Sequence, residues 1–215
     1  MPQLVNRVMM ESAFSPGGLV TPEEDKLPAE LDEPARSLLV NVGLPDDRSF
    51  FFVIDGGFFE GEAQEIPHRF RRCAELDCFS EYEDMPRGWE NWLLIGEIHH
   101  DAVALDPVSG VVYCLPDDGE FQARVLNRNL DSFLFFLYLL ASERPHDDFR
   151  GACELDDTER VAASLRERMA GADPLPFDGV EPAWSEGFDW SEDAPRLPTW
   201  ECVLWDVHEA VGQAE

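Results

Sequence analysis

The sequence predicts an α+β fold: a mostly antiparallel, five- to six-stranded sheet packed against a central helix, with a C-terminal helical extension. Three observations predict it. Four short apolar runs, at 92–95, 102–105, 111–115 and 121–126, follow one another closely. Within them side chains alternate: Val111, Tyr113 and Leu115 share one face, as do Phe121, Ala123 and Val125, the period of an antiparallel strand with one face on a core. The period then changes to that of a helix, with apolar residues at Leu130, Phe133, Leu134, Leu137, Leu140 and Ala141.

Taken in order, residues 1–20 read as a strand or loose lead-in that closes in the loop sequence SPGG. Thr21 and Glu24 have the spacing of a capping box with Pro22 at the first helical position, and Pro28 stops that turn early. The next helix begins at residues 32–34 and runs through ARSLLVNV. Gly43 supplies its left-handed stop, Leu44 folds back on it and Pro45 prevents continuation. SFFFVIDGG follows as the first core strand, and its nearly continuous apolar run predicts burial on both faces. Gly56-Gly57 lies in no GxGxxG or Walker pattern, so it reads as a turn or bulge rather than a phosphate cradle. Residues 60–89 are irregular and read as short edge strands and loops, with a basic cluster at His68, Arg69, Arg71 and Arg72.

The last three apolar runs are joined by turn chemistry. Pro107 takes the second position of one turn and Gly110 closes it, while Asp118-Gly119 is a hairpin pair. Asn127 or Asn129 caps the central helix. Phe135, Phe136, Tyr138 and Leu139 make that helix apolar almost all round, so it must be covered on two sides, by the sheet and by other helices.

These residues carry a resemblance. The order of LIG, a strand, LDPVSGVVY and VLNRNLDSFLFFL resembles the SUKH superfamily of immunity proteins, most closely its fourth branch, and the upstream helix ending in VGLP before an apolar strand fits as well. The resemblance covers roughly residues 31–142, with a looser match beyond. Its motifs are structural, not catalytic. It implies a non-enzymatic protein that binds and neutralises a polymorphic toxin. The same superfamily includes fungal regulators of cell-wall synthesis.

Composition bounds the partners. The 215 residues suffice for one elaborated domain, read as a core at 1–145 and an acidic, aromatic-rich helical extension at 146–215 packed on that core. Net charge is −29, from 45 acidic and 16 basic residues. Such acidity argues against direct binding to nucleic acid or an anionic membrane and favours a partner with a basic surface; its plainest alternative account is solubility. Five scattered cysteines without a CxxC pair fit reduced thiols in the cytoplasm. No signal peptide is visible, and the longest apolar run, 133–141, is too short to span a bilayer.

The extension contains LDDTERVAASLRERMAG, an amphipathic helix with Val161, Ala162, Leu165 and Met169 on its apolar face and Gly171 at its end. A Pro/Gly-rich loop leads to TWECVLWDVHEAVG, a final helix capped by Thr199. At helical spacing, Trp200 and Trp205 read as anchors to the body.

Catalytic patterns are weak. His99-His100-Asp101, with Glu97 and Asp106 nearby, is the most metal-like cluster, but neighbours on a strand point to opposite faces, HExxH and zinc-type cysteine pairs are absent, and exposed turn residues are the favoured reading. Asp106 reads as a turn former. Abundant carboxylates single out no acid/base pair, and no GxSxG occurs. No catalytic residue, metal ligand or cofactor is therefore assigned. Aromatics interleaved with carboxylates suit a basic protein surface, where arginines both pair and stack. The partner-binding candidates are Trp184, Glu186, Asp189, Trp190 and Glu192 in the loop, and Asp117, Asp118 and Glu120 at a hairpin tip. The expected function is a cytoplasmic immunity protein that occludes the active site or basic substrate groove of a cognate toxin, a nuclease or nucleic-acid deaminase. A regulatory or scaffold module is the alternative, and a carboxylate- or metal-dependent hydrolase ranks below both.

Overall fold

The structure, a computed structural model, describes residues 3–14, 17–47, 51–55, 70–82, 84–116, 122–143, 155–185 and 197–209. Its centre is a five-stranded antiparallel meander: β3 (Phe52–Ile54), β4 (Leu93–Ile98), β5 (Asp101–Leu105), β6 (Val112–Leu115) and β7 (Arg124–Asn127), in that spatial order. A two-stranded ribbon pairs β1 (Leu19–Val20) with β2 (Leu44–Pro45). The helices are α1 (Arg7–Ala13), α2 (Glu33–Asn41), α3 (Leu130–Glu143), α4 (Leu155–Ala172) and α5 (Thr199–Glu209).

Both faces of the sheet are covered. Leu93, Ile95, Ile98, Val103, Leu105, Val112 and Cys114 join the helices in the main core. Leu94, Ala104 and Leu115 join Cys73, Phe79 and Trp92 in a second, smaller one on the opposite face. That second core is covered by 3-10 turns at Cys73–Glu75, Asp77–Glu81 and Trp89–Asn91 rather than by regular elements. Tyr113 stacks on Trp92 there, with centroids 3.9 Å apart. A bulge keeps β4 in phase: pairing passes from Leu94↔Ala104 to Gly96↔Val103, so Ile95 is the extra residue and still faces the helices. Gly96 is needed for a close approach, because a Cβ there would stand 2.3 Å from the Phe52 ring and 2.4 Å from the Val53 carbonyl oxygen.

The all-round apolar helix is buried as its composition demands: Phe133, Leu134, Phe136, Leu137 and Leu139 are fully enclosed in α3. Asn129 caps it, accepting from the Ser132 amide at 2.9 Å. Asn127 does something else, accepting from the Trp200 indole at 3.1 Å. Phe133 meets Phe52 edge-on at 5.5 Å and lies 5.9 Å from Trp200, so α3 is held between the sheet and α5. Helix α2 is bounded as expected, by Asp32 accepting from Ala35 and by Gly43 at φ 88°.

Several local expectations are corrected. Residues 7–13 of the lead-in are helical, because Asn6 caps them and Asp131 accepts from the backbone of Leu4 and Val5. The expected capping-box helix at residue 21 is a 3-10 turn at Glu24–Lys26 with no side-chain cap. The first core strand is not buried on both faces: Phe52 and Ile54 are buried, while Phe51 and Val53 are half-buried. Helix α4 runs through Gly171 to Ala172. Thr199 is the first residue of α5, and Pro198 supplies the carbonyl that accepts from Glu201. The glycines at 56–57, the Asp118-Gly119 hairpin, Phe121, His68 and Arg69 lie outside the described residues.

Candidate functional site

The β4–β5 hairpin turns through only two residues, His99 and His100, between the paired Ile98 and Asp101. Such a turn needs positive φ at both positions, which is why Asn-Gly usually fills it. Here φ is 51° at His99 and 72° at His100. Imidazoles in this conformation cost roughly 1 kcal/mol or more each relative to glycine. Ile98 and Asp101 are buried on either side, so the two exposed histidines are held projecting from a rigid base.

Beside them is an open cavity of about 330 Å³, lined by Phe51, Val53, Glu97, His99 and His100. Glu97 is the only exposed residue of β4. Phe51 stacks on His99 with centroids 6.1 Å apart and planes 20° from parallel. The cavity thus has an apolar wall from β3 and a polar wall from the hairpin.

The C-terminal half of α5 completes this surface. His99 Nε2 lies 3.3 Å from Asp206 Oδ2. Two residues on, His208 packs between Trp205, at 5.2 Å, and Trp184, at 5.7 Å and nearly parallel. A chain of contacts therefore runs from Phe51 through His99 and Asp206's helix to Trp184. An imidazole oriented by a carboxylate is half of a nucleophile-activating arrangement. Among the described residues, however, no serine, threonine or cysteine hydrogen-bonds to either histidine.

Other buried carboxylates are committed to the frame. Asp173 accepts from Arg128, Ser132 and Asn127, and Asn127 in turn holds Trp200. Glu201 is fully buried against Arg166 Nε at 2.6 Å, and Arg166 also donates to the Val180 carbonyl and lies over the Phe177 ring. Burial pushes Glu201 above the usual carboxylate range, and the Arg166 charge only partly offsets this. Asp101 is buried with Cys114 and Thr199. Arg71 pairs with Asp55 and Arg72 with Glu30, which spends the described half of the basic cluster on internal contacts.

The metal-like cluster read from the sequence is thereby dispersed. His99 and His100 are turn residues, Asp101 points into the core, and Asp106 accepts from Val108 and Ser109 within its own turn. Among the described residues no group of three or more His, Cys, Asp or Glu could hold a metal ion. Of the partner-binding candidates, Trp184 is described and is half-buried against the main core. Asp117, Asp118, Glu120, Glu186, Asp189, Trp190 and Glu192 lie outside the described residues. Trp200 does anchor α5, with no exposure at all, while Trp205 is half-buried and its ring meets His208 of the same helix. Phe51, Val53 and Asp206 were missed. The available hint was a pair of histidines where turn chemistry wants Asn-Gly, next to the lone acid of an apolar strand.

A family model described as SUKH-4 immunity protein matches residues 5–190. That span reaches well beyond the motifs at 31–142 and includes α1, α4 and Trp184. No curated protein and no solved structure matches the chain. No helix among the described residues is long and apolar enough to cross a membrane.

Proposed function

The chain belongs to the SUKH-4 immunity protein family, and from that premise we propose that it binds a cognate polymorphic toxin in the cytoplasm and blocks it by occlusion, without catalysis. The toxin is a nuclease or nucleic-acid deaminase with a basic substrate groove. The observation that carries this reading is the net charge of −29. An enzyme that grips a phosphate backbone needs a basic groove, and an acidic inhibitor is steered to that groove and held over it. The acidic stretch at Asp117, Asp118 and Glu120 and the aromatic–acidic stretch at Trp184, Glu186, Asp189, Trp190 and Glu192 are the proposed contacts. The division into a core at 1–145 and an acidic, aromatic-rich helical extension at 146–215 packed on that core belongs to the same reading.

Stopped-flow association with the toxin of the neighbouring reading frame tests it. Raising salt from about 50 to 500 mM should slow the on-rate by an order of magnitude or more and change dissociation less. Charge reversal at Asp117, Asp118 and Glu120, or at Glu186, Asp189 and Glu192, should show which patch faces the toxin. An on-rate indifferent to salt, with protection retained when both sets are reversed, would leave the acidity as a device for solubility.

A further inference from the structure

We propose that the cavity beside the His99-His100 turn is the socket for one arginine side chain of the bound toxin. The proposal rests on the immunity reading and deepens it. Four features of the cavity match an arginine. Phe51 and Val53 offer an apolar wall for the aliphatic stem. Glu97 offers a carboxylate, the acceptor that a guanidinium fork engages with two hydrogen bonds. Asp206 Oδ2, 3.3 Å from His99 Nε2, adds a second carboxylate at the edge of the cavity. Finally, no lysine or arginine is among the described residues that line the cavity. Lysine fits less well, because its ammonium is a point charge that cannot fork or stack as a plane.

The strained turn supports the same conclusion. Asn-Gly would relax both backbones, yet the position holds two imidazoles whose φ values, 51° and 72°, disfavour them. A turn that served folding alone would gain by the exchange. Retaining histidines makes sense where their rings line a binding wall.

The first test is an NMR titration of the full chain with N-acetyl-L-arginine amide at constant ionic strength. Saturable shifts are expected at the His99 and His100 ring signals and at the Val53 and Glu97 amides, with Glu97→Gln weakening binding tenfold or more and N-acetyl-L-lysine amide binding several-fold less tightly. Unsaturable shifts scattered over the acidic surface, or equal titration of Glu97→Gln, would overturn the proposal. The second test replaces His99→Asn together with His100→Gly. Its melting temperature should hold or rise while arginine binding falls, whereas unchanged binding would remove the imidazoles from the socket. The third is protection in cells against the neighbouring toxin. Glu97→Arg should lose it with an unchanged melt; full protection by Glu97→Arg would show that the socket does not face the toxin. Failure of the wild-type chain to protect would instead sink the immunity reading, and the arginine titration would still decide the socket by itself.

Discussion

Asp173 Oδ2 stands 2.7 Å from the backbone nitrogen of Arg128, which ties the end of α4 to the turn that launches α3. The same carboxylate accepts from Arg128 Nε at 3.0 Å, Ser132 Oγ at 2.8 Å and the Leu175 amide at 3.3 Å. Burial acts to raise its pKa. The Arg128 amide, the Ser132 hydroxyl, the Arg128 guanidinium and the Leu175 amide outweigh that, and Asp173 ends below the usual carboxylate range. A depressed folded-state pKa gives stability that is present above the unfolded value, near 4, and is lost as pH falls through the folded value. Asp173→Asn should therefore cost about 3 kcal/mol at neutral pH and lose less further stability on acidification than wild type. Urea melts at pH 7 and pH 3 measure both, and parallel acid losses in the two proteins would refute the assignment.

Phe133 lies in the middle of the stack from β3 to α5, with no exposed surface. Phe133→Ala should cost about 3–5 kcal/mol, the range for an aromatic deleted from a core. A thermal melt within a degree or two of wild type would contradict the packing described.

Gly96→Ala tests the close approach at the bulge of β4. The added methyl would meet backbone and ring atoms at 2.4 and 2.3 Å, and neither is the end of a flexible chain. Overpacking of this kind costs roughly 1–3 kcal/mol or more. The loss should shrink when Phe52→Leu is combined with it, since the ring is one of the two obstacles; strictly additive losses in a double-mutant cycle would show that the ring is not involved.

The thiols should differ sharply in reactivity. Among Cys73, Cys78, Cys114 and Cys202, Cys78 alone is exposed. Burial, with small contributions from Cys78 and Asp55, pushes the Cys73 thiol up to about 12, and a thiol attacks only as the thiolate. In native protein an aromatic disulfide reagent should label Cys78 quickly and reach Cys73 only on unfolding, as mass spectrometry of timed samples would report. Early labelling of Cys73 would mean that the second core opens readily.

Where side chains obeyed a single periodicity, the fold was legible in advance. Leu130 to Ala141 announced a helix covered on two sides, and Asp32 with Gly43 announced both ends of α2. Short elements were not legible. The seven residues of α1 bury only Met10 of their own and take their definition from Asn6 and from Asp131, more than a hundred residues away. The candidate site was legible only in part. His99 and His100 were legible as exposed turn residues, as the structure has them, but the cavity beside them was not, because its other wall comes from a strand distant in sequence. Asp101 turned inward and Asp206, far along the chain, took its place beside His99.

By itself the sequence determined the antiparallel meander, the buried α3, the acidity and the family, since each is written in local periodicity, composition or contiguous motifs. Tertiary structure alone decided that α5 lies across α3 and reaches the hairpin tip, that Asn127 holds Trp200 while Asn129 caps, and that the half-buried Phe51 and Val53 form a cavity wall. The physical reason is the same in each case. A strand's alternation says that two faces differ but not what covers them, and a polar side chain's role is set by whichever partner folding brings within about 3 Å.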